Sequence, residues 1–132
     1  MKVDQLIVGN MGVCCYILSC EKTGKAAVVD PGGDAERILA KLKDDGLELA
    51  YIIATHGHPD HVCDNRKVKE ATGAQIIMHK DDDDFFGDER VKGFFSMLGM
   101  EESPPADLRV SDGDTITFGE VSIEVIHTPG HT

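Results

Sequence analysis

Residues Thr55 to His61 read THGHPDH, directly behind the apolar run LAYIIAT (Leu49 to Thr55). The stretch crowds His56, His58, Asp60 and His61 into one short loop. Three imidazoles and a carboxylate packed so closely have little structural use unless they share a cation or face water. Neutral imidazole and carboxylate suit zinc, and also iron or manganese. Gly57 and Pro59 disfavour a helix here, so the spacing is not the i, i+4 pattern of a helical zinc site. In an extended loop, residues two apart point the same way. His56 and His58 can therefore grip one ion, while Asp60 and His61 leave the loop differently and could hold a second. The competing reading is an exposed histidine-rich loop without metal. Four ligand groups at a strand end weigh against it.

A mononuclear catalytic zinc takes three protein ligands and keeps one position open, so a third ligand must come from elsewhere. The chain ends IEVIHTPGHT. His131 follows a buried strand, and the TPG before it makes a rigid turn that could present the imidazole. His127 is the weaker choice and reads as a supporting or surface group. His79, at the end of the run AQIIMH, reads as a core or surface residue.

Hydrophobic periodicity places the rest. VDQLIV (Val3 to Val8) alternates, and VCCYIL (Val13 to Leu18) reads as a strand buried on both faces. KAAVVD (Lys25 to Asp30) follows a TGK turn, and DPGGD breaks it. A helix is expected over about Asp34 to Asp45, with Asp34 as N-cap and Gly46 as stop. A second, weaker helix spans about Asn65 to Thr72, ended by Gly73. The middle thus alternates strand and helix, the mark of an α/β protein. Lys80 to Asp107 is less legible. Its aspartate run, Asp81 to Asp84, reads as a solvated helix start rather than a cation site. Phe85, Phe86, Phe94, Phe95, Met97, Leu98 and Met100 suggest a helical flap or an uncovered interface. The C-terminal DLRV, SDGD, TITF, GE and VSIEVI read as strands and turns of a hairpin, with glycines at 113 and 119.

The chain has 132 residues and a formal charge of −11, from 24 acids against 13 bases. Phosphate-rich partners, nucleic acid and anionic membrane, are disfavoured by that balance. No apolar run reaches the ~20 residues of a membrane span, and the N-terminus has no secretory pattern. Cys14, Cys15, Cys20 and Cys63 form no CxxC pair and read as reduced thiols of a cytoplasmic protein. Only Cys63, close behind the histidine cluster, invites a chemical role.

THGHPDH resembles the T-H-x-H-x-D-H signature of the metallo-β-lactamase superfamily, and especially of its glyoxalase II-like (hydroxyacylglutathione hydrolase-like) hydrolases. VVDPGGD (Val28 to Asp34) is similar to the family's segment before its first helix. GDTITFGEVSIEVIHTPGHT is similar to its hairpin and third ligand motif, so the resemblance spans essentially the whole chain. It implies an αββα sandwich. It places His56, His58 and His131 on one metal and Asp60 and His61 on a second, with Asp60 also among the catalytic groups. The cofactor implied is one or two zinc ions, with iron or manganese as alternatives. The implied activity is hydrolysis of a small thioester, such as an acylglutathione, by metal-bound hydroxide. The alternatives are a persulfide dioxygenase-like iron enzyme of the same superfamily and a non-catalytic metal-binding or oligomerising module. His58, standing where the diiron flavoproteins have a carboxylate, argues against that branch; the acidic balance argues against the RNA- and DNA-processing branches. The family pattern continues past HTPGHT with strands that supply a bridging aspartate and a final histidine. The expectation is therefore one domain over residues 1–132, incomplete against the family: the first sheet plus part of the second. Apolar surface left uncovered in such a piece predicts a homo-oligomer.

Overall fold

A computed structural model describes residues 1–86 and 88–130. The chain opens on three antiparallel strands, β1 (Lys2–Val8), β2 (Val13–Ser19) and β3 (Lys25–Val29). Helix α1 (Ala35–Asp44) crosses back to β4 (Glu48–Ile53), which pairs parallel to β3. A short turn of helix, α2 (Pro59–Val62), and helix α3 (Asn65–Thr72) lead to β5 (Gln75–His79), parallel to β4. Helices α4 (Lys80–Phe85) and α5 (Glu89–Met97) lead to β6 (Leu108–Val110), parallel to β5. The six strands lie side by side in sequence order. A separate hairpin, β7 (Thr115–Phe118) and β8 (Val121–Glu124), forms a two-stranded sheet.

The layers follow from where the apolar side chains point. Ile38 and Leu42 of α1 and Val68 of α3 are buried with Cys15, Ile17, Val28, Ile52, Ile76 and Met78 of the large sheet. Burying each such side chain is worth about 1.5–3 kcal/mol against leaving it in water. A register shift between Ala26 and Ala27 inserts an extra residue in β4. It lets Leu49 and Ile52, three apart, both join this core. On the opposite face Ala27 and Ile77 are buried, and β7 packs against β3. Gly119, at the β7–β8 turn with φ +60°, sits where any Cβ would strike Thr23 and Cys20. The sequence of layers is helix, sheet, sheet, with the second sheet represented by the hairpin, as expected of an incomplete αββα sandwich.

Several local expectations change. Strand β2 buries only alternate residues: Val13, Cys15 and Ile17 are covered while Cys14 is exposed. DLRV does not join the C-terminal hairpin; as β6 it extends the large sheet, and the SDGD turn carries the chain from one sheet to the other. Asp34 stands at the N-cap position of α1 but makes no capping bond. Its carboxylate accepts instead from the Gly9 N–H at 3.0 Å. The buried Asp64 accepts from Ala35 N–H at 3.0 Å and serves the helix end from a distance.

The region 80–107 folds into two helices packed on the core. Phe95 is buried, Phe85 and Phe86 pack against the core, and Phe94, Met97 and Leu98 stay exposed. The aspartate run does start a helix, but three of its carboxylates are employed. Asp82 accepts from Gly57 N–H at 3.2 Å, Asp83 from Ala106 N–H at 2.8 Å, and Asp84 from the Arg109 guanidinium at 2.8 Å. Among the described residues no helix is long and apolar enough to cross a membrane.

Candidate metal centre

Three parallel strands end on one side of the large sheet, where α/β proteins commonly bind ligands. Asp30 follows β3, Thr55 and His56 follow β4, and His79 ends β5. The loop that begins at Thr55 turns into α2 with Pro59 at its first position, where a missing N–H costs nothing. The sequence disfavoured a helix here; one turn forms nonetheless, and it sets His61 back toward the strand ends. Its N–H donates to the His58 carbonyl at 3.0 Å.

The imidazoles converge. The ring centroids of His56 and His58 are 4.7 Å apart, edge to face, and those of His56 and His61 are 4.1 Å apart. Beneath them lies Asp30, buried and held at φ +55°. Its carboxylate accepts from Thr55 N–H at 2.7 Å, from the Thr55 hydroxyl at 2.5 Å and from His61 Nδ1 at 2.9 Å. The one Thr55 hydroxyl proton is committed to Asp30. Thr55 Oγ1 must therefore accept from His56 Nδ1, 2.9 Å away. One buried carboxylate thus assigns the tautomer of two histidines, each with its proton on Nδ1 and its lone pair on Nε2.

That lone-pair arrangement fits a metal. Asp30, His56 and His61 each offer a ligand atom within 4.8 Å of the others. His61 Nε2 and an Asp60 carboxylate oxygen are 3.7 Å apart, close to the ~3.4 Å that separates two donors at about 2.1 Å from one tetrahedral ion. A buried carboxylate behind a ligating imidazole is also the usual supporting arrangement at metal sites. Without an ion, the Asp30 hydrogen bond favours the protonated imidazole of His61, against the opposing effect of burial. Metal and proton therefore compete for this ring.

The structure thus gathers His56, His58, Asp60 and His61 at one place; His131 lies outside the described residues. Asp30 and Thr55 had no role in the sequence reading. Their signal was an aspartate immediately after a buried strand and before PGG. Gly32 in that segment lies against the histidine loop, where a Cβ would collide with the Asp60 carbonyl. Burial pushes the Cys63 thiol up to about 11, away from the thiolate form. His79 and His127 stack face to face at 3.8 Å and 16°. With Asp81 they form a second group of potential ligands. Parallel rings keep their lone pairs parallel, however, and His79 Nδ1 already accepts from Asp81 N–H at 3.1 Å. The pair joins β5 to the segment after β8 rather than converging on an ion.

A helix–sheet–sheet fold with a histidine and aspartate cluster at its strand ends defines an α/β protein with a candidate metal centre. A model of the metallo-beta-lactamase superfamily matches residues 8–132, and the chain belongs to that superfamily. An uncharacterized protein of Aquifex aeolicus is 40% identical over 132 residues, covering 100% of this chain and 62% of the relative. A hydroxyacylglutathione hydrolase of Rhodospirillum rubrum is 36% identical over 117 residues, covering 89% of this chain and 39% of the relative. Among solved structures, the BLEG-1 B3 metallo-beta-lactamase superposes with a TM-score of 0.86 at 28% identity, covering 99% of this chain and 63% of that one. The di-iron-bound form of TTHA1623 gives 0.78 at 26%, covering 98% and 63%. ETHE1 from Myxococcus xanthus gives 0.78 at 24%, covering 100% and 50%, and shares the fold. The chain thus spans under two thirds of the length of each of these proteins.

Proposed function

We propose that this chain carries the metal-binding half of a thioester hydrolase acting on acylglutathione-type or related small acyl substrates. The observation that carries the reading is the Asp30-centred network, which presents His56 and His61 as neutral Nε2 donors beside His58 and Asp60. The likeness to a hydroxyacylglutathione hydrolase supports the substrate class. His56, His58 and His131 would hold one ion, and Asp60 and His61 would serve a second. Zinc is the first choice for this donor set; iron and manganese suit it too. When bound, such an ion supplies a water nucleophile at neutral pH and polarises the substrate carbonyl.

The chain's own residues do the rest. Asp30 and Thr55 hold the Nδ1 protons of His61 and His56, so the neutral rings present Nε2 lone pairs. The Asp60 carboxylate, beside His61 Nε2, is placed to accept a proton from an attacking water. The acidic balance, −11 overall, keeps nucleic acid away and favours a small-molecule substrate.

Metal content and turnover test the reading together. The expected outcome is stoichiometric zinc or iron in purified protein, lost in His56→Ala, and metal-dependent loss of the thioester absorbance of an acylglutathione. Bound metal without thioester turnover would favour a metal-binding module. Oxygen uptake with a persulfide substrate would favour the dioxygenase branch.

A further inference from the structure

Among the described residues, two cavities that border the histidine cluster differ in make-up. One, of about 580 Å³, runs from His56 to His79, Asp81, Asp82 and His127. The other, of about 380 Å³, opens beside His58 between α2 and α5, walled by Pro59, Phe85, Val91 and Phe94. Asp88 and Arg90 stand at its rim.

The rim charges cancel. Asp88 accepts the Arg90 N–H at 2.9 Å, and the Arg90 guanidinium lies 3.5 Å from the same carboxylate. The pair leaves the rim without net charge. The walls are aromatic and aliphatic, and Phe94 is 47% exposed. A large apolar side chain held in water beside a candidate metal ligand gains free energy when an apolar group covers it.

We propose that this groove is the acyl-side specificity pocket. It takes an uncharged aliphatic or aromatic acyl group whose carbonyl carbon lies at the histidine cluster. The inference rests on the hydrolase reading for the position of the carbonyl, but the groove's ligand chemistry is readable without turnover. A carboxylate at the far end of the acyl chain is disfavoured, because among the described residues the rim's cation, Arg90, is paired with Asp88 and the protein is strongly acidic.

Binding of inert S-alkyl thioethers of N-acetylcysteamine to the zinc-loaded protein tests it, by calorimetry and by the ring-proton resonances of Phe94. Affinity should rise about fourfold per added methylene until the groove is filled. A homologue ending in carboxylate should bind more weakly than its methyl counterpart. Phe94→Ala should flatten the chain-length dependence with little change in Tm, and Phe94→Leu should restore most of it. Binding independent of chain length, or equal slopes in wild type and Phe94→Ala, would overturn the proposal. The matching acyl thioesters separate the two readings. If thioethers bind with the expected slope and no thioester is cleaved, the hydrolase reading falls and the groove stands. If thioesters are cleaved without any chain-length dependence, the groove falls and the hydrolase reading stands.

Discussion

Asp30 receives both Thr55 donors and His61 Nδ1, so its removal disturbs more than one candidate ligand. Asp30→Ala frees the Thr55 hydroxyl and releases the proton positions of His56 and His61. The expected outcome is a 10–100-fold loss of metal affinity, the usual effect of removing such a supporting group, measured by competition with a chromophoric chelator. Retention of full affinity would show that the network is incidental to the ligands. Asp64 makes the parallel case for stability. Asp64→Ala removes the acceptor for Ala35 N–H and should cost about 1 kcal/mol in urea denaturation, in line with N-cap losses. Asp34→Ala, at the nominal N-cap, removes no helix cap; what it removes is the acceptor for the Gly9 N–H. The sequence placed the cap at Asp34 because it precedes the helix. It gave no sign that a carboxylate 29 residues away would do the work.

Helix α5 divides its aromatic residues between two environments. Phe95 is 2% exposed, and Phe95→Ala should cost about 3–5 kcal/mol. Phe94→Ala should stay within about 0.5 kcal/mol, as surface changes do. Equal costs for the two, read from denaturant midpoints, would contradict the orientation of α5. Helix α3 is tied to the segment before β6 through Asp107. Its carboxylate accepts from Lys69 Nζ at 2.7 Å and from Ile76 N–H at 2.8 Å, and these bonds lower its pKa. A lowered folded-state pKa means stabilisation that is fully present above the unfolded value of about 3.9. It is lost as the pH falls through the lowered folded value. Wild type should therefore exceed Asp107→Ala in Tm at neutral pH, with the gap closing only in strong acid. A gap that widens below pH 4 would reverse the sign of this account. Strand–helix alternation was legible because buried runs and helix stops are written locally. The membership of β6 was not, because its three residues pair with β5 across two intervening helices.

For the whole molecule, the outer part of the large sheet matters most. Val3 and Ile7 on β1 are about half exposed, at 52% and 53%, and Cys14 beside them is exposed as well. We propose that this face is covered by self-association. Sedimentation velocity should show species larger than the monomer that are reduced by Val3→Asp with Ile7→Asp; a concentration-independent monomer would defeat the idea. The sequence by itself determined the cluster of candidate donors and the α/β class. THGHPDH is a local crowding of donor atoms, and hydrophobic period and glycine stops are local too, so both survive without knowledge of contacts. It also brought the superfamily into view, which the match over residues 8–132 bears out. Tertiary structure alone decided how the donors are held. Asp30 meets Thr55 and His61 across 25 and 31 residues, and α5 meets His58 at a groove that neither segment encodes by itself. Such contacts depend on strand order and helix packing. They become fixed only when Asp30, Thr55 and the histidines arrive together at the ends of parallel strands.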